Sequence, residues 1–161
     1  WMNSYSGYLA DIAKWWSENI SKDWLDIRSQ TYGILQREDT LKEIVKLLGP
    51  DALPDEEKLI LEIARMVKIG LLQQNSFDDV DTYCSPEKQF KLLKLVVDFY
   101  KLGQQSLKEG APLASIRELP VVTSLLKARM DIKDDEMPKL DQLEIDMKEQ
   151  FKNISGVKVK N

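Results

Sequence analysis

Apolar residues return every three or four positions along most of the chain, and no window alternates with the period of two that marks a strand. A first helix is predicted from Tyr5, Tyr8, Leu9, Ile12, Trp15 and Trp16. A second follows from Trp24, Ile27, Thr31, Ile34, Leu35, Leu41, Ile44, Val45 and Leu48. Gly49-Pro50 ends it, because glycine suits a helix C-terminus and proline cannot continue the helix. Asp55-Glu56-Glu57 then opens a third helix, where acids favour the positive end of the helix dipole. Leu59, Ile60, Leu61, Ile63, Ala64, Met66, Val67, Ile69, Leu71 and Leu72 lie on several sides of that helix, the pattern of a central, buried element.

Ser76 to Asp79 has the spacing of a capping box with Asp in place of Glu, which predicts a short helical turn. Ser85-Pro86-Glu87 supplies an N-cap hydroxyl and a proline at the first helical position, and launches a long helix carrying Phe90, Leu93, Val96, Val97 and Tyr100. Gly110 and Pro112 break it. Two shorter helices are expected next, separated at Pro120, and a last amphipathic helix after Pro138 places Leu140, Leu143, Met147, Phe151 and Ile154 on one face. Residues 155–161 read as a polar, frayed tail. The expected fold is an all-α multi-helix bundle forming a single domain, without internal repeats. Trp15, Trp16 and Trp24 are candidates for an aromatic cluster within it.

Composition narrows the chemistry. The 161 residues are 43% hydrophobic and 31% charged, as in an ordinary globular domain. Histidine is absent, which removes a Ser-His-Asp triad, a Cys-His pair and any histidine metal site. Cys84 is the only cysteine, so no internal disulfide forms, and it reads as a small buried hydrophobe. A net charge of -4 argues against general nucleic-acid binding. No apolar run approaches the ~20 residues a membrane span needs, and Trp1 to Tyr8 lacks the basic start and apolar run of a signal peptide. There is no G-x-x-x-x-G-K-[ST] phosphate loop, nor a βαβ pattern to present one. Acidic pairs such as Asp78-Asp79 and Asp134-Asp135 are adjacent in sequence and need not converge on one site, so no catalytic residue and no metal ligand is expected.

Two strings carry more. The first runs from Leu48 to Lys58, LGPDALPDEEK; the second runs from Leu71 to Gln89, LLQQNSFDDVDTYCSPEKQ. Together, at this separation, they resemble the catalytic subunit of archaeal-type (V/A-type) ATP synthases. Trp1 to Ser6 is similar to the stretch where that family leaves its nucleotide-binding domain. The resemblance covers Trp1 to about Gly110 well, and the remainder through helical pattern only. It implies that residues 1–161 are the C-terminal helical domain of a larger subunit, with 1–10 as the exit from the nucleotide-binding domain. Trp1, which lacks an initiator context, agrees with that expectation.

The first string resembles the acidic DELSEED loop of the related rotary catalytic subunits. Asp51, Leu53, Glu56 and Lys58 match that pattern directly, Asp55 and Glu57 keep its charge, and Ala52 and Pro54 depart from it. The resemblance implies that Asp51, Leu53, Asp55, Glu56 and Glu57 form a loop facing the rotor; spacing alone reads Asp55 to Glu57 as a solvated first turn. In the second string, Phe77, Val80 and Tyr83 match the aromatic–aliphatic–aromatic pattern that lines the adenine pocket in the family. A flat adenine suits such a wall, whereas spacing alone makes Phe77 and Tyr83 core aromatics.

The resemblance further implies ATP or ADP with Mg²⁺ in the parent protein, and none bound by this piece in isolation. It implies as partners the regulatory and catalytic subunits of the hexameric head together with a central-stalk rotor subunit. Nucleic acid and direct membrane insertion are not expected, and the implied position is cytoplasmic and peripheral to the membrane. A free-standing helical adaptor and the equivalent domain of the regulatory subunit are the rival readings; the string from Gln73 to Gln89 favours the catalytic one.

Overall fold

The computed structural model describes residues 18, 20–72 and 85–156, all of them in helices, helical turns or short connections. Helix α1 spans Trp24–Leu48. A 3₁₀ turn at Pro50–Ala52 leads into α2, Asp55–Val67, which continues as one π turn over Lys68–Leu72. Then come α3 (Pro86–Lys108), α4 (Leu113–Arg117), α5 (Pro120–Asp131) and α6 (Pro138–Gly156). The predicted boundaries at Gly49, Asp55, Ser85, Pro120 and Pro138 agree with these elements. The third helix ends as a π turn, and the last helix extends to Gly156. The first predicted helix, the turn at Ser76 to Asp79, Trp15, Trp16 and Cys84 lie outside the described residues.

Local chemistry accounts for the helix ends. Ser85 Oγ accepts from Lys88 N at 3.2 Å and satisfies one of the donors left over in the first turn of α3. At the other end Gly110 has φ 83°, its N–H donates to Leu107 O, and Ala111 N donates to Ser106 O. These paired bonds are a Schellman closure, which a left-handed glycine makes without a Cβ penalty. Gln150 of α6 reaches α5, where its Oε1 accepts from Val121 N at 2.9 Å.

Helix α2 packs between α1 and α3. Its inner residues Leu59, Ile63, Ala64, Met66 and Val67 are buried together with Leu35, Leu92 and Phe99. The approach to α3 is close: a Cβ on Gly103 would stand 3.0 Å from Leu59 Cδ2, so that side chain would have to shift. On the far side of α3, Phe99 meets Phe151 of α6 edge to face at 5.0 Å. A second cluster joins Trp24 and Ile27 of α1 to Phe90, Leu93 and Val97, with Trp24 and Phe90 edge to face at 6.2 Å.

The apolar stripe of α1 is buried only along part of its length. Leu41 is fully buried, Ile44 and Val45 are partly so, and Leu47 and Leu48 are 82% and 73% exposed. Spacing alone puts Leu48 on the core face; the helix instead runs past the bundle, and its last turn overhangs.

Replacing Leu59 with Ala would leave a void between α2 and α3 that the helices cannot close. We expect a loss of about 2–5 kcal/mol of stability, read from the urea midpoint of the chain; an unchanged midpoint would show that this contact does not hold the bundle.

Candidate functional site

The overhang of α1 ends in a stiff turn. Gly49 takes φ 86°, and its N–H still donates to Val45 O at 2.9 Å, so the chain leaves the helix without fraying. Pro50 and Pro54 then restrict the backbone on both sides of the 3₁₀ turn. Ala52 N and Leu53 N each close a bond of 3.3 Å, to Gly49 O and Pro50 O.

Of the residues expected to face a rotor, Asp51, Asp55 and Glu56 are exposed. Glu57 is partly covered and pairs with Arg37 of α1. Leu53 differs: it is 4% exposed, turned inward as an anchor, and so offers no contact surface. The outer surface of the turn therefore combines Leu47, Leu48, Asp51 and Ala52 with the acids that open α2.

At its other end α2 becomes the π turn, and here a buried charge ties it to α1. Glu38 is 4% exposed and lies 2.8 Å from Lys42 Nζ and 2.6 Å from Lys68 Nζ. Burial pushes this carboxyl up, but the two ammonium groups outweigh burial and hold it below the ordinary glutamate range. Lys68 is the first residue of the π turn, so the pair joins the middle of α1 to the end of α2. The turn lies against α5 at Gly70, where an added Cβ would be in ordinary contact with Leu125 O at 3.4 Å.

Phe77, Val80 and Tyr83 lie outside the described residues, in the segment that follows this turn. Pattern reading also missed three buried charged residues around its two ends: Glu38, Lys88 and Arg129. The signal was available. Each occupies a place in an apolar stripe, Glu38 between Leu35 and Leu41, Lys88 one turn before Leu92, and Arg129 one turn after Leu125.

A groove of about 270 Å³ lies elsewhere, lined in part by Phe90, Lys94, Asp98, Leu140 and Glu144. Burial raises the Asp98 carboxyl above its ordinary value, against the pull of Lys94. Among the described residues no cluster of three or more His, Cys, Asp or Glu could hold a metal ion. Among them, too, no helix is long and apolar enough to cross a membrane.

These features define an all-α bundle whose accessible hallmark is a rigid acidic turn at the tip of a long helix. The chain belongs to the family described as the C-terminal domain of V and A type ATP synthase, which matches residues 13–117. It is 43% identical over 160 residues to an A-type ATP synthase subunit of Hyperthermus butylicus, a match covering 98% of this chain and 27% of that protein. It is 42% identical over 154 residues to the same-named protein of Methanopyrus kandleri, covering 96% and 26%. The V-type ATP synthase alpha chain of Halothermothrix orenii is 38% identical over 154 residues, again covering 96% and 26%. The chain thus spans about a quarter of the length of the curated relatives it matches.

The shifts of Glu38 and Asp98 predict opposite pH effects. Glu38 stabilises the fold above its unfolded value, roughly pH 4.3, and that contribution fades as pH falls through its lower folded value. Glu38→Gln should therefore cost about 1–3 kcal/mol at neutral pH and converge with the parent chain in acid. Asp98 has the reverse sign: its charged form is disfavoured in the fold, so Asp98→Asn should stabilise at neutral pH, and the gain should vanish below about pH 4. Urea titrations at several pH values measure both.

Proposed function

We propose that this domain is a mechanical part of the catalytic subunit of a rotary ATP synthase, carrying movement between a bound nucleotide and a turning central stalk. The observation that carries the reading is the placement of α2. This single helix starts in the acidic turn at Asp55 and ends at Val67, and the π turn after it leads directly into the segment bearing Phe77, Val80 and Tyr83. At 1.5 Å per residue it is a strut roughly 20 Å long. Its inner face is buried along the whole length, from Leu59 to Val67, so α1, α2 and α3 move as one body.

In this reading Phe77 and Tyr83 stack on the adenine over Val80. Such contacts bind the base and make no bonds, and each stacked base is worth roughly 1–3 kcal/mol. The phosphates and Mg²⁺ are gripped by other parts of the parent protein, since this chain has no phosphate loop. Closure around the nucleotide swings the bundle as a rigid body. The tip made by Leu47, Leu48, Asp51, Asp55 and Glu56 then bears on the rotor, with Leu53 seating the turn from inside. Glycine capping, two prolines and a buried anchor make that tip stiff; its charges matter less singly, because an exposed ion pair contributes only about 0–1 kcal/mol. The flanking partners are the other catalytic and regulatory subunits of the head, in a complex that makes or hydrolyses ATP while moving ions, with this domain on the cytoplasmic side and peripheral to the membrane.

In the whole subunit, Phe77→Ala should weaken nucleotide binding by about 5- to 150-fold, the equivalent of one lost stack. Equilibrium titration with Mg-ADP measures it, and an unchanged Kd removes the adenine assignment. Replacing residues 51–57 with glycines in the assembled complex should lower torque or coupling efficiency while nucleotide Kd stays put. Full coupling with a flexible tip would refute the rotor contact.

A further inference from the structure

The tip at the end of α1 has an apolar centre as well as acids. Leu47 and Leu48 are 82% and 73% exposed, and the next most exposed large apolar residue among those described, Ile145 of α6, reaches 58%. Single exposed leucines are common on protein surfaces. Here a pair shares the last turn of one helix, and Pro50, Ala52 and Pro54 continue the exposed apolar surface beyond it.

The charges around this centre are one-sided. Lys46 is answered by Glu43 at 3.2 Å and Glu57 by Arg37, so neither pair leaves a net charge. Among the described residues Asp51, Asp55 and Glu56 are exposed and form no ion pair, and Lys58, the next cation along the chain, is half-buried. An apolar centre inside a charged rim is the anatomy of a protein-contact surface. The base is also rigid: Gly49 N is tied to Val45 O, prolines flank the turn, and Leu53 is buried beneath it. Little backbone freedom is left for a partner to freeze, which removes one of the usual costs of association.

We propose that Leu47 and Leu48 anchor the rotor contact, and that the stalk surface they meet is an apolar patch rimmed by lysine or arginine side chains. This rests on the rotor reading of the tip and deepens it by naming the chemistry of the partner's surface. Leucines that lose their water on contact govern how long the contact lasts. Exposed acids act across solvent, so they steer the approach and are screened by salt. A second copy of this tip would set acid against acid, which disfavours self-docking.

The test reconstitutes the whole catalytic head with its central-stalk subunit and follows stalk association and dissociation at low and high salt. Leu47→Ser with Leu48→Ser should raise the dissociation rate about 10- to 100-fold, with association and melting temperature nearly unchanged because both side chains are exposed. Asp51→Asn, Asp55→Asn and Glu56→Gln together should slow association about three- to tenfold at low salt, match the parent at high salt, and leave dissociation nearly unchanged. An unchanged dissociation rate in the leucine variant, or faster dissociation in the amide variant than in the leucine variant, overturns the apolar anchor. The glycine replacement of residues 51–57 separates that failure from failure of the rotor reading. If it loses coupling while the leucine variant is silent, the rotor contact stands and only its chemistry is wrong; if it couples fully, both fall. A leucine variant that alters only self-association of the head, read by sedimentation, makes a second copy the occupant and likewise overturns the proposal.

Discussion

The packing of α2 between α1 and α3, tightest where Leu59 meets the bare backbone of Gly103, is the constraint around which the remaining structure is arranged. A Cβ on Gly103 would stand 3.0 Å from Leu59 Cδ2 and 3.3 Å from Cδ1, so the end of the Leu59 side chain would have to give way. Close packing leaves such an interface few ways to yield.

Charge then does what apolar packing cannot. Hydrophobic contact is nearly indifferent to small slides of one helix along another, whereas an ion pair or a charged hydrogen bond specifies particular atoms. Glu38 with Lys68 pins the π turn to α1, and Arg129 pins the same turn to α5. The turn is thus gripped from two sides at the point where the regular helix gives way, a place where backbone carbonyls are available to be held.

The helical elements were legible in the amino-acid order because their signals are local. Gly49-Pro50, Ser85-Pro86 and Pro120 act through the torsions of their own residues, and the apolar spacing acts through the pitch of one helix. Even the acidic opening of α2 is a property of its first turn. Family membership was legible for a related reason: the strings from Leu48 to Lys58 and from Leu71 to Gln89 are continuous in sequence.

Tertiary structure alone decided where those helices stop touching one another. Leu48 continues the apolar stripe of α1 and is nevertheless exposed, while Leu53, inside an acidic loop, is buried. Neither outcome depends on the residue's neighbours in sequence; each depends on how far α1 runs beyond the bundle and on how the turn folds back. The same holds for Glu38, Lys88 and Arg129, whose charges are tolerated in apolar stripes only because partners far along the chain arrive beside them. Periodicity names the face a residue occupies. Whether that face meets a partner, and which atom it meets, is fixed by the path of the whole chain.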